Sequence, residues 1–493
     1  MPNDLTVIVL AAGGGTRMKS KTMKVLHPVC GRSMIGHVLA AVQATEPSRV
    51  VAVVGHQRDQ VGPHIHELVP DAVLAVQETQ EGTAHAVRVA MEAAGTTSGT
   101  VIVAAGDTPL LEGESLARFA ADHVLTRRVV SILSGEVSDP SGYGRIVRGP
   151  AGDVEGIVEE KEATDEQRRI REINSGILAF DAAFLADALP RVSNDNAKGE
   201  YYLTDVVGIA RQDGLPVGAY PIDDVMQTEG ANDRAQLADL GREMNRRIVT
   251  RWMQEGVTVM DPATTWIEAD VVLNQDVTIL PGTQLLGATV VDEDAVIGPD
   301  TTLKDCEVGA GARVVRAHGE LAVIGDGASV GPFAYLRPGS RLDTRGKIGA
   351  FVETKNSSIG EGAKVPHLSY IGDAEIGEGA NIGAGTIVAN YDGVAKHRTT
   401  VGRYAKTGSN NTFVAPVRIG DGAGTAGGTV VRQDVPPGAL AVSSGPQRNL
   451  EGWAERKRAG TPPAAAAEAA RTDGEHLVSR QGDPRLGDQG TPG

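Results

Sequence analysis

Two hydrophobic rhythms divide the chain. In residues 1–234, continuous aliphatic runs alternate with helical stretches. Val7-Ile8-Val9-Leu10, Val50-Val51-Ala52-Val53-Val54 and Val101-Ile102-Val103-Ala104-Ala105 are each followed closely by glycine. Runs of this kind read as strands buried on both faces. Between them, Ile35 to Ala44 and His85 to Ala94 carry helical spacing. The alternation predicts a mostly parallel α/β sheet that binds ligands at the C-terminal ends of its strands. Residues 235–255 keep a helical period with alternating charges and predict a linking helix. From Gly256 onward, short Val-, Ile- and Thr-rich strands take over. An aliphatic–glycine pair then recurs near every sixth residue, as at Ile324-Gly325 and Val330-Gly331, or Ile376-Gly377 and Ile382-Gly383. Ile348 follows Val330 by 18 positions and Ile419 follows Val401 by 18, which is three hexads. One aliphatic knob per flat side of a triangular coil means a parallel β-helix. The expected division is an α/β domain over 1–234, a linker helix over 235–255, a β-helix over 256–455 and a disordered tail over 456–493.

The tail expectation rests on composition: few aliphatics and many Ala, Pro, Gly and charged residues. Its AAAAEAAR stretch is too short to be a stable helix alone. Across all 493 residues the net charge is −16, which argues against binding nucleic acid or anionic lipid. Anionic substrates therefore need a few well-placed cations. Cys30 and Cys306 are far apart and fit no metal or disulfide pattern, so both are expected as buried free thiols in a reducing compartment. The N-terminal apolar run has no positive flank and reads as a strand entering a glycine loop, not as a signal peptide or membrane span. A soluble cytoplasmic protein is expected.

Chemistry gathers at two places. Gly13-Gly14-Gly15 follows the first strand, where unobstructed backbone N–H groups can approach phosphate. The loop is neither a P-loop nor a dinucleotide fingerprint. Arg17 and Lys24 follow it and can supply positive charge. Asp107 ends a buried strand and can serve as a hard oxygen ligand; taken alone, the residue is better read as a helix N-cap before Thr108-Pro109. In the β-helix, hexad breaks hold Arg337, Lys355, His367, Tyr370, Asn390, Tyr391 and Lys396. These are cations, amides and phenols suited to a phosphosugar, with one imidazole able to take a proton.

LAAGGGTRM, KVLHPVCGRSM, EGTAHA after Gln77, AGDTPLL, GYGRIVR, GEYYLTD and GANDRAQLA resemble the sugar-nucleotide pyrophosphorylases, which have a Rossmann-like nucleotidyltransferase fold. With the solenoid attached, residues 5–458 resemble the bifunctional bacterial UDP-N-acetylglucosamine pyrophosphorylase/glucosamine-1-phosphate N-acetyltransferases. The resemblance implies a left-handed β-helix, a homotrimer with acetyltransfer sites between subunits, and a product that feeds peptidoglycan. It implies that acetyl-CoA acetylates glucosamine-1-phosphate, and that the product then takes UMP from UTP. Arg17 and Lys24 are the implied catalytic cations, and Asp107 and Asn232 the ligands of Mg²⁺. Leu10, Ala11, Ala12, Gly13, Lys24, Gln77, Gly82, Thr83, Gly106 and Asp107 are the implied nucleotide-binding residues. Gly144, Glu159, Asn174 and Asn232 lie on the sugar side. His367 is the implied base. Arg337, Lys355, Tyr370, Asn381 and Lys396 bind the amino-sugar phosphate, and Ala384, Asn390, Tyr391, Ser409 and Gly427 line the acetyl-CoA path.

The chain departs from the family at Met23 (usually Pro), Ala105 (often aromatic), Gly427 (commonly Ala) and Ser444 (Arg in some). Arg448, Lys457 or Arg458 are alternatives to Ser444 for meeting the CoA phosphates. An alternative function is a single-activity nucleotidylyltransferase whose β-helix is structural; the retained solenoid side chains argue against it.

Overall fold

The structure, a computed structural model, describes residues 4–55, 58–196, 198–443, 445, 447 and 449–472. It forms two compact units, Met1–Ala441 and Val442–Gly493. In the first, the expected aliphatic runs form a sheet in the order Val217–Pro221, Val130–Glu136, Glu172–Asp181, Thr100–Ala105, Leu5–Leu10, Arg49–Val54, Val73–Val76. Leu5–Leu10 is parallel to both neighbours, whereas Glu172–Asp181 runs antiparallel to both of its own. Alternate residues serve opposite faces: Ile8, Val51 and Val103 join one core, and Val7, Ala52 and Ile102 the other. A side hairpin, Gly144–Arg148 with Val154–Val158, hangs from Glu172–Asp181 through the pairing of Asn174 with Gly144.

The helix Arg234–Gln254 follows and leads into three parallel sheets of 7, 10 and 9 strands, visited in turn by each coil. We number these faces one to three. Their inward aliphatics make a single continuous core, consistent with the expected left-handed β-helix. Most coils take 16 to 18 residues, but Lys406 pairs with Asn381, 25 positions earlier, because residues 390–398 protrude. The last strand is Leu440–Ala441, short of the expected limit at 455.

Cys30 and Cys306 are buried and free. Cys30 lies in the turn between Pro28–Val29 and Arg32–Ser33 and packs into the solenoid core. Its carbonyl accepts from Ala269 N at 2.9 Å, and Arg32 pairs with Asp270. The α/β domain is thereby fastened to the first coil.

In the second unit, Trp453–Lys457 and Pro462–Thr472 are helical where 456–493 was expected to be disordered. The reason is a local partnership: Arg471 pairs with Glu455 at 2.8 Å and Arg458 stacks on Trp453. Residues 473–493, and the candidates Ser444 and Arg448, lie outside the described residues. No helix among the described residues is long and apolar enough to cross a membrane.

Candidate active sites

The strand Leu5–Leu10 delivers the chain into Gly13-Gly14-Gly15 and then into the short helix Thr16–Met18. Gly15 has φ +57°, and a Cβ there would fall 2.5 Å from the Lys24 Cβ, so only glycine lets Lys24 approach. Added Cβ atoms at Gly13 and Gly14 would meet nothing, which leaves their backbone open to a ligand. Lys24 Nζ pairs with Asp107 and lies 3.3 Å from Asn232 Oδ1. Arg17 Nη2 donates to the same Asn232 oxygen at 2.8 Å. Asp107 follows the strand Thr100–Ala105, and the next α-helix begins only at Gly113, so Asp107 caps no helix. Asn232 is held just before Arg234–Gln254, where Asp233 caps the helix and Gln236 reaches back to accept from Asn232 N. Residues 17, 24, 107 and 232, remote in sequence, thus meet at one point.

Beside them is a cavity of about 360 Å³ lined by Leu10, Ala11, Ala12, Gly13, Lys24, Gln77, Gly82, Thr83 and Asp107. Gly106 is not among its lining residues and donates its N–H to the Leu10 carbonyl at 2.9 Å. The cavity is also lined by Gln80 and Glu200, which the motif reading omitted although both lie within its quoted stretches or beside them. Gly82, at φ +114°, is pressed against the Tyr201 backbone, 2.5 Å from where its Cβ would be. Where the side hairpin joins the sheet, Gly144, Glu159 and Asn174 form a second group: a Gly144 Cβ would lie 3.4 Å from Glu159 Oε1 and 3.6 Å from the Asn174 Cβ. Burial raises the Glu159 pKa, with Lys198 opposing and Glu162 adding to the rise. Tyr143 donates to Glu229 at 2.6 Å and ties this group to the segment that carries Asn232.

The solenoid candidates other than Asn381 fall on the two edges of its second face. On the edge between faces two and three, Arg337 pairs with Glu353 at 2.9 Å and Lys355 with Asp373 at 3.1 Å. Burial alone would lower the Lys355 pKa, but hydrogen bonds with Asp373 and Lys396 and the charge of Asp373 outweigh it and raise it. Lys396 is lowered by its hydrogen bond with Lys355 and by that residue's charge, so the two amino groups face each other. The 390–398 protrusion brings Lys396 there, with Asn390 and Tyr391 at its base. Asp373, which the motif reading did not single out, also accepts from Asn356 at 2.7 Å and from Asn390. It lies one coil after Lys355, so the repeat itself carried the signal.

The opposite edge holds His367. Its carbonyl accepts from Gly385 N, that of Ala384 from Asn410 N, and that of Ser409 from Gly428 N, at 3.2, 2.7 and 2.8 Å. His367, Ala384, Ser409 and Gly427 are therefore stacked one per coil. The exposed His367 ring meets no hydrogen-bond partner among the described residues. Tyr370 starts the second face beside His367, and its hydroxyl leans toward Gly372 and Asn390. Asn381 stands apart, on face one between Lys364 and Lys406.

Residues 7–169 match the model of the MobA-like NTP transferase domain. Over nearly the whole length, the chain is similar to proteins named Bifunctional protein GlmU. It is 57% identical to that of Streptomyces avermitilis, covering 94% of this chain and 97% of the relative. It is 58% identical to that of Thermobifida fusca, covering 95% and 98%. The chain belongs to the bifunctional GlmU family. Against this GlmU background two departures are conservative. Met23 has φ −59°, within the range proline imposes, so the backbone entering Lys24 has a proline-compatible angle. At Gly427 an added Cβ would meet only Ser409 O at 3.7 Å, an ordinary contact.

Proposed function

We propose that the chain carries out two successive transfers: acetyl from acetyl-CoA to glucosamine-1-phosphate on the solenoid, then UMP from UTP to the resulting N-acetylglucosamine-1-phosphate in the α/β domain. The products of the second step are UDP-N-acetylglucosamine and pyrophosphate. The observation that carries this reading is the convergence of Arg17, Lys24 and Asp107 on Asn232 at the glycine loop, in a chain whose solenoid holds a separate cation cluster and an unpaired imidazole.

For uridylyl transfer, the Asp107 carboxylate and the Asn232 amide oxygen already share one cation, the Lys24 ammonium. Two hard oxygens facing one cation position fit Mg²⁺, which keeps part of its water shell. Bound there, the metal supplies charge neutralisation at the triphosphate. Lys24 and Arg17 turn from Asp107 and Asn232 to the phosphates, while the cavity residues Leu10 to Gly13, Gln77, Gly82 and Thr83, with Gly106 beside them, hold the nucleotide. Gly144, Glu159 and Asn174 hold the sugar. A sugar-phosphate oxygen attacks the α-phosphorus, and the bond to pyrophosphate breaks in line.

For acetyl transfer, Arg337, Lys355, Tyr370 and Lys396 bind the amino-sugar phosphate. Asn381 belongs to the same site in the family pattern. His367 takes the proton of the amino group, the amine attacks the thioester carbonyl, and CoA departs as the thiol. Ala384, Asn390, Tyr391, Ser409 and Gly427 guide the acetyl-CoA. Within one chain, His367 and the cation cluster lie at opposite edges of a face, with about 10 Å of strand between them. That separation supports a homotrimer in which neighbouring chains complete each site. The His367 edge also exposes Phe333 and Phe351, stacked at 5.1 Å, together with Leu368. Such an apolar column suits burial against another copy. The buried free cysteines fit action in the cytoplasm.

The test is a pair of substitutions assayed for both reactions. His367→Ala is expected to lower acetyl transfer on the order of 10²–10⁴-fold and leave uridylyl transfer intact. Asp107→Ala does the reverse. Equal damage to both reactions by both variants, in correctly folded protein, overturns the two-site reading.

A further inference from the structure

His85 lies in the first turn of the helix Thr83–Ala94, directly behind Gln77. Gln77 is only 4% exposed, so its amide must be satisfied from within. Its Nε2 donates to the Gly82 carbonyl at 3.2 Å and lies 3.3 Å from His85 Nδ1. A backbone carbonyl can only accept, so the NH₂ end is fixed toward Gly82. The second N–H is then used by His85 when Nδ1 presents its lone pair and Nε2 carries the proton. Glu81 Oε2 stands 3.6 Å from the same Nδ1, beyond hydrogen-bonding distance, so Gln77 is the nearer partner. With both N–H groups engaged inside the protein, the amide oxygen is what Gln77 has left for the cavity it lines.

That orientation has a chemical consequence. Uracil presents an N3–H donor, which an amide oxygen accepts. Cytosine presents a bare N3 lone pair, which the same oxygen repels. We propose that His85 is a specificity-determining positioning residue: by accepting from Gln77 it locks the amide so that the pocket admits UTP and rejects CTP. The proposal rests on the reading of Gln77 as the base-contacting residue. Sites that reject a base do so by leaving polar groups unpaired, and a rotating amide weakens that penalty.

The experiment measures kcat/KM for UTP and CTP with N-acetylglucosamine-1-phosphate, using acetyl transfer by the same preparation to verify folding. His85→Ala is expected to lower the UTP/CTP ratio roughly three- to tenfold, the worth of one neutral hydrogen bond. His85→Gln, which keeps an acceptor, restores most of the ratio, and Gln77→Ala lowers it further. If His85→Ala slows both nucleotides equally while Gln77→Ala changes the ratio, the proposal is overturned and the reading of Gln77 stands. If Gln77→Ala leaves the ratio unchanged, that reading fails and takes the proposal with it. His85→Leu, of similar bulk without an acceptor, replaces the alanine variant if the latter does not fold; equal ratios for the Leu and Gln variants then overturn the proposal.

Discussion

Lys24 is the cation shared by the Asp107 carboxylate and the Asn232 amide oxygen. In the absence of ligand its ammonium balances Asp107, which spares a partly buried carboxylate the cost of an uncompensated charge. A different residue governs the response to acid. His123 is buried in the helix Gly113–Leu125, with Nδ1 at 2.9 Å from Ser131 Oγ, and burial lowers its pKa from 6.5 to about 4. The unfolded chain therefore takes up this proton first. The stability His123 contributes is complete above pH 6.5, declines as the pH falls and is lost by about pH 4. His123→Gln is expected to shrink the drop in urea midpoint between pH 7 and pH 5; an undiminished drop refutes the assignment. At this scale the meeting of Lys24 with Asp107 was legible in the sequence, because the motifs around each pointed to one site. The sequence was silent on Gln80, whose side chain donates to the Ala12 carbonyl, because a contact across 68 positions leaves no local trace.

Among the elements, the hexad period announced the solenoid, and its breaks announced where the charged side chains Arg337, Lys355 and Lys396 gather. The protrusion at 390–398 illustrates both. His397 N donates to the Asn390 carbonyl at 2.8 Å, so the ends of the protrusion meet. Removing Tyr391 to His397 restores an 18-residue coil from one of 25. This deletion is expected to leave the melting temperature within a few degrees and uridylyl transfer unchanged, while acetyl transfer falls at least a hundredfold through loss of Lys396. Unimpaired acetyl transfer would show the protrusion to be a passive loop. The helices after residue 452 were harder to read. AAAAEAAR lacks the length to hold a helix by itself, and the partnership of Glu455 with Arg471 that assists it depends on how the chain turns between them.

On the scale of the whole molecule, the −16 net charge coexists with two small gatherings of cations, Arg17 with Lys24 and Lys355 with Lys396. The separation of His367 from Lys355 across one face makes assembly testable. Lys355→Ala and His367→Ala chains, each inactive in acetyl transfer, are expected to recover activity when unfolded together and refolded as a mixture. Recovery requires that one chain's base serve another chain's cations. A mixture as inactive as its components places both groups in one chain and removes this support for the trimer.

The turn that fastens the α/β domain to the solenoid gives this enzyme a built-in chemical witness. Cys30 is shielded there, and burial together with the Glu268 charge pushes its thiol up to about 12. Near neutral pH the thiolate at that position is therefore concentrated in molecules whose joint has come apart, about two coils from Cys306. Electrophiles that spare the intact protein will mark those molecules alone, so the fraction of chains in which the two halves have let go is recorded on a single sulfur.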